Sequence, residues 1–124
     1  MSVHSCRKDR LYPRITKAVD NLLAVQDYVS PVQLLVEMEL ITKQQVEDWR
    51  FGRIPYLEMV VKGNLNRLSR LLQILQCQAS DLNLKPSQTV YKRWGKGPKR
   101  ALQFSKTADH KIEEAYAKHF VKVS

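Results

Sequence analysis

The chain has 124 residues, 44% of them hydrophobic and 27% charged, with 21 Lys and Arg against 12 Asp and Glu for a net charge of +9. This length and composition predict one globular domain able to bury a core without staples. No apolar run approaches the ~20 residues of a membrane-spanning helix, and a pI near 9.8 points to an anionic partner: nucleic acid first, then an anionic membrane face or an acidic protein.

Residues 1–11 read as a disordered basic lead-in and residues 12–124 as a single helical domain. Cys6-Arg7-Lys8-Asp9-Arg10 breaks any apolar run that a signal peptide would need, so a cytoplasmic setting is expected. Cys6 and Cys77 allow one long-range disulfide, but a frayed N-terminus favours two unrelated reduced thiols. Pro13 suits a first helical position, and Ile15, Val19, Leu22 and Val29 recur near the helical period. They predict an amphipathic helix to about Tyr28.

Two helix starts of one design follow. Ser30-Pro31-Val32-Gln33 places Ser at the N-cap, Pro at N1 and Gln at N3, and Thr42-Lys43-Gln44-Gln45 repeats the cap and the Gln. In each, the hydroxyl can accept from the N3 amide while the Gln side chain reaches back to the cap. Val29 with Leu34 and Ile41 with Val46 add hydrophobic staples. The spacing predicts helices over 31–38 and 43–51, joined at Glu39-Leu40-Ile41, with Gly52 stopping the second.

Pro55 can open a fourth helix, along which Leu57, Val61, Leu65, Leu68, Leu72, Leu75 and Ala79 form an apolar stripe. Gly63-Asn64 weakens its middle, where a kink or break is expected. A core helix is the first reading of the stripe, and the seam of a coiled-coil homodimer is the alternative. Residues 80–87 read as turn and loop. Residues 89–94 and 101–104 then have strand composition, and Gly95-Lys96-Gly97-Pro98 between them is turn chemistry, which predicts a β-hairpin over 89–104. Ile112, Ala115, Tyr116, His119, Phe120 and Val123 mark a closing helix that Thr107 or Asp109 could cap.

The charge is local to one segment that contains this hairpin. No acidic residue lies between Asp81 and Asp109, and that stretch of 27 residues carries Lys85, Lys92, Arg93, Lys96, Lys99, Arg100 and Lys106, with Tyr91, Trp94 and Phe104 interleaved. Clustered cations among aromatics are the footprint of a surface that meets phosphates. Trp94 and Tyr91 could stack on unpaired bases or pack the hairpin onto the helices, and packing is the first reading for Trp94. The glycines and lysines of the tip lack Walker-loop spacing but could bind an isolated phosphate.

Residues 30–52 have the outline of a helix-turn-helix, whose second helix would offer Lys43, Gln44, Gln45, Arg50 and Arg53 to DNA. Ile41-Thr42, Gln45-Val46, Trp49, Gly52-Arg53 and Pro55 resemble the second-helix region of repressor-type and excisionase-type helix-turn-helix DNA-binding proteins. Residues 71–82 resemble the later helices of the repressor class, so the resemblance covers about residues 30–84. It implies a helical DNA-binding fold. The chain departs from the pattern at Leu35 and Glu39, where a small residue and a glycine are usual, in the length of 55–68, and in Glu47 and Asp48, which would face phosphates. The whole chain is also similar to small bacterial proteins of unassigned function that share the Trp49–Leu57 and Trp94–Lys99 signatures.

Enzyme chemistry finds little support. His4, His110 and His119 have no metal-ligand spacing with either cysteine, Glu113-Glu114 reads as a solvated face, and no nucleophile motif is present. The expected fold is mainly α, a helix-turn-helix-like helical bundle with a small basic β-hairpin near the C-terminus. The expected function is non-catalytic nucleic-acid binding without cofactor or metal, with duplex DNA the favoured partner. Its site would comprise Lys43, Gln44, Gln45, Arg50, Arg53, Lys92, Arg93, Lys96, Lys99, Arg100 and Lys106. Five to seven neutralised phosphates would give log K against log salt a slope of about −4.5 to −6. An RNA or single-strand binder using Tyr91 and Trp94, and an adaptor docking an acidic protein, are the alternatives.

Overall fold

A computed structural model of the chain describes residues 3–123, with side chains from residue 6 onward. Among the described residues, six α-helices, one 3-10 turn and a three-stranded antiparallel sheet make up the regular structure. The first two helices are α1 (Val3–Lys8) and α2 (Leu11–Leu23). The disordered lead-in expected over residues 1–11 is therefore corrected from residue 3 onward; residues 1 and 2 lie outside the described residues. Partners on a distant helix fix this segment: Cys6 is bonded to Cys77, Arg70 Nη2 lies 2.7 Å from Asp9, and Arg7 lies 3.2 Å from Asp81. The disulfide also corrects the expectation of two reduced thiols. Asp9 Oδ1 accepts from Leu11 N at 2.9 Å at the start of α2. Pro13 is the third residue of α2, still within the first turn, where no N–H has an intrahelical partner to lose.

Helix α2 ends at Leu23 and does not reach Tyr28. Tyr28–Val29 is instead β1, an edge strand against the C-terminal segment. Helices α3 (Pro31–Glu37) and α4 (Lys43–Arg50) lie where their caps predict. At α4 the full reciprocal capping box forms, with Gln45 N donating to Thr42 Oγ1 and Thr42 N to Gln45 Oε1, each at 3.0 Å. At α3 only half forms: Ser30 Oγ accepts from Gln33 N at 3.1 Å, while the Gln33 side chain is held by Gln26 and the Ser30 hydroxyl. Glu39 takes φ +61° after α3 and Gly52 takes φ +77° after α4. The next amide in each case reaches back, Leu40 N to Leu35 O and Arg53 N to Asp48 O, both at 2.9 Å, which closes each helix as a Schellman end.

The segment from Pro55 is not helical throughout. It holds a short 3-10 turn, Leu57–Met59, and the break expected at Gly63-Asn64 is real: Asn64 caps α5 (Leu65–Asp81). Leu57 N and Glu58 N donate to Gln103 O and Phe104 O at 3.2 and 2.8 Å, bonds to a distant segment that compete with a local helix. Leu68, Leu71, Ile74, Leu75 and Ala79 of α5 are buried with Ile15 and Val19 of α2 and Leu34 and Leu35 of α3. Burying each of the larger side chains contributes about 1.5–3 kcal/mol.

After α5 the assignments reverse. Lys85–Gln88, expected as loop, is β2; the closing helix stops after α6 (His110–Tyr116), and Lys118–Val121 is β3. Asp109 caps α6 through Lys111 N and Ile112 N. β3 is the central strand of the order β1-β3-β2, with Phe120 opposite both Val29 and Pro86. Pro86 is tolerated because β2 is an edge. The predicted 89–104 hairpin is reduced to one ladder rung, Lys92 opposite Ala101, flanked by Arg93 N to Arg100 O at 2.9 Å and Leu102 N to Tyr91 O at 2.8 Å. Among the described residues no helix is long and apolar enough to cross a membrane.

Candidate nucleic-acid interface

The basic hairpin is anchored at both ends. On its return leg, Trp49 is fully buried and its indole N–H donates to Gln103 O at 2.8 Å. The Trp49 ring lies 5.0 Å from Phe104, and Phe104 stacks on Tyr116 at 5.3 Å. Glu113 accepts from Phe104 N and Ser105 N at 2.8 Å and from the buried Ser105 hydroxyl at 2.7 Å. Glu58 accepts from the Tyr116 hydroxyl at 2.7 Å, and burial together with that carboxylate holds the phenol well above its ordinary pKa. Glu113 thus serves as a clamp where a solvated face was expected.

On the outgoing leg, Trp94 N donates to Arg50 O at 2.7 Å, and the Trp94 ring meets Phe51 edge-on at 5.7 Å. The hairpin therefore sits on the C-terminal end of α4. Gly52 makes room for it: a Cβ there would lie 2.9 Å from Arg93 Nε and 3.5 Å from Arg100 Nη2. Arg53 lies over Phe51 at 5.0 Å. Arg50, Arg53, Arg93 and Arg100 thus surround one helix end. At the tip, Gly95 and Gly97 both take positive φ, Arg93 donates to Lys96 O at 2.8 Å, and Lys99 Nζ donates to Gly95 O. Among the described residues none of Lys92, Arg93, Lys96, Lys99, Arg100 and Lys106 pairs with a carboxylate, and all but the half-buried Arg93 are exposed.

The remaining predicted residues are placed differently. Lys43, Gln44 and Gln45 lie at the N-terminal end of α4, about 10 Å along the axis from Arg50. Gln44 donates to Asp48 at 3.1 Å, Gln45 is committed to its cap, and Arg53 pairs with Asp48 at 3.0 Å. Lys106 lines a separate cavity with Glu58, Leu65 and Ile112. The structure therefore gathers the hairpin cations with Arg50 and Arg53 and leaves Gln44, Gln45 and Lys106 apart from them, while Lys43 lines a cavity with Trp94, Val46 and Glu47.

Arg50 is half-buried, with its guanidinium 4.4 Å over Trp94 and 5.0 Å over Tyr91. Burial pulls its pKa down, yet an arginine keeps its charge. Burial likewise raises the Tyr91 phenol, whose hydroxyl lies 2.8 Å from His119 Nε2. His119, expected on a helix face, stands on β3 stacked on Tyr28 at 5.2 Å, and burial lowers its pKa. The residues that sequence reasoning missed here are Tyr28, Ser30, Gln33 and Thr89, which line a cleft with Arg50, Trp94 and His119. Neutral side chains from two distant stretches, 28–33 and Thr89, carry no local signal. Among the described residues no three His, Cys, Asp or Glu side chains gather as metal ligands would.

Compared with protein-family models, curated proteins and solved structures, the chain shows no match to any. Its own residues therefore carry the functional assignment.

Proposed function

We propose that this protein binds nucleic acid without catalysis, gripping phosphates with the hairpin tip and the C-terminal end of α4. The observation that carries this is the run of exposed hairpin cations with no carboxylate partner among the described residues, held on α4 by Trp94 and Gly52. A fixed cation array of one sign binds polyanions, because each phosphate contact releases a condensed counterion. Duplex DNA is the first partner proposed, with α3 and α4 as the helix-turn-helix and the tip along the backbone. The engagement of Gln44 with Asp48 and of Gln45 with its cap argues for phosphate contact over base reading.

A single-strand reading is favoured by one observation: Trp94 is 44% exposed although its ring is docked, which leaves surface on which an unpaired base could stack. A mobility-shift assay at low salt with a duplex and a matched single strand tests both. The expected result is binding of at least one, lost when Lys92, Lys96, Lys99 and Arg100 are all replaced by Ala and nearly unchanged by Gln44→Ala with Gln45→Ala. Failure of both probes to shift would refute the reading, as would undiminished binding by the four-fold variant.

A further inference from the structure

Behind Trp94 lies a cleft of about 350 Å³, within the roughly 300–1,000 Å³ of small-ligand sites. Residues from α3 and α4, the strands β1 and β3, and the outgoing leg of the hairpin line it. Val32, Val46, Tyr28 and Trp94 make it largely apolar and aromatic. No carboxylate lines it, and burial favours the neutral form of His119, which leaves Arg50 as its one charged group among the described residues.

Arg50 is unusual in two further respects. Its guanidinium is oriented by the faces of Trp94 and Tyr91, and its Nε is buried with no hydrogen-bond partner. No salt bridge among the described residues includes it. A half-buried cation without an acceptor is a position that an incoming anion stabilises. Aromatic rings beside it suit a flat group attached to that anion, and Trp94, which lines the cleft, directly precedes the basic tip in sequence.

We propose that this cleft holds a single nucleotide, with its phosphate on the Arg50 guanidinium and its base against Tyr28 and Trp94. The proposal rests on the nucleic-acid reading for the strand that would deliver the nucleotide. A free 5′-mononucleotide offers the same phosphate and ring. Because stacking and one phosphate contact are indifferent to base identity, the site takes purines and pyrimidines alike.

The test follows tryptophan fluorescence. Trp49 is fully buried and Trp94 lines the cleft, so a ligand seated there quenches Trp94. The probes are 5′-AMP, adenosine, inorganic phosphate and a ten-nucleotide single strand. Saturable quenching by 5′-AMP is expected, with adenosine and phosphate each at least about tenfold weaker. Arg50→Met keeps the apolar stem and should weaken 5′-AMP at least about tenfold at an unchanged melting temperature. Should Arg50→Met not fold, Arg50→Lys, which keeps the charge but not the planar stack, should show a smaller loss in the same direction. Lys96→Ala with Lys99→Ala should weaken the oligonucleotide and leave 5′-AMP unchanged.

Absence of saturable 5′-AMP quenching overturns the proposal, as does binding indifferent to the Arg50 substitutions. If the oligonucleotide still binds through the hairpin in that case, only the cleft assignment falls. If 5′-AMP binds through Arg50 and the oligonucleotide binds no tighter, the cleft stands as a free-nucleotide site and the single-strand reading falls.

Discussion

Single residues set the geometry of the interface through backbone conformation and burial. Glu39 and Gly52 occupy equivalent positions after α3 and α4, both with positive φ. Only Gly52 suits that conformation without a Cβ penalty. Glu39→Gly is expected to raise stability by about 0.5–1 kcal/mol, and Gly52→Ala to lower it by about 1–2 kcal/mol while displacing Arg93; urea unfolding checks both. His119 supplies a pH dependence. Burial holds its pKa below the ordinary 6.5, so on acidification the unfolded chain takes up the proton before the folded one does. The stability this confers is complete above pH 6.5 and declines as pH falls from 6.5 through the folded-state value. His119→Gln should flatten that decline in urea midpoints measured between about pH 7.5 and 5.

At the level of elements, the structure separates what local sequence can encode from what it cannot. Helices α3 and α4 were legible because Ser30 and Thr42 announce their starts and Gly52 ends the second, all within one or two turns of chain. Strands β2 and β3 were not. Lys85-Pro86-Ser87-Gln88 has no strand composition and is exposed throughout; it is extended because β3 pairs with it. The apolar spacing of Tyr116 and Phe120 fits a helix, yet the chain leaves α6 at Ala117 to form the central strand. The hairpin was legible as a basic turn, but its support from Trp49, Glu58 and Glu113 was not, since each lies in a different segment. That support is testable. Glu113→Ala leaves two amides and the buried Ser105 hydroxyl without an acceptor and is expected to cost about 2–3 kcal/mol. Chemical denaturation gives the cost, and faster amide exchange at Phe104 and Ser105 would locate it.

For the molecule as a whole, distant segments close around one core and bring the charge to one place. The acid-free stretch supplies the cations, while α4, far earlier in the chain, supplies the seat on which they are fixed. At the N-terminus, the Cys6–Cys77 bond spans 71 residues of sequence, and closing so long a loop stabilises a fold by about 4 kcal/mol in the chain-entropy account. Reduction is expected to lower the thermal midpoint and leave hairpin binding intact, because the bond joins α1 to α5 and touches neither the tip nor α4. Melting curves with and without reductant, with a binding assay on each form, check this.

If the exposed hairpin cations grip phosphates as a unit, binding weakens steeply as salt rises. With Lys92, Lys96, Lys99 and Arg100 each neutralising one phosphate of a duplex, log K against log salt should fall with a slope of about −3.6, shallower by about 0.9 for each cation replaced by Ala. A flat salt response, or a slope that survives removal of all four cations, would show that these cations do not grip phosphates.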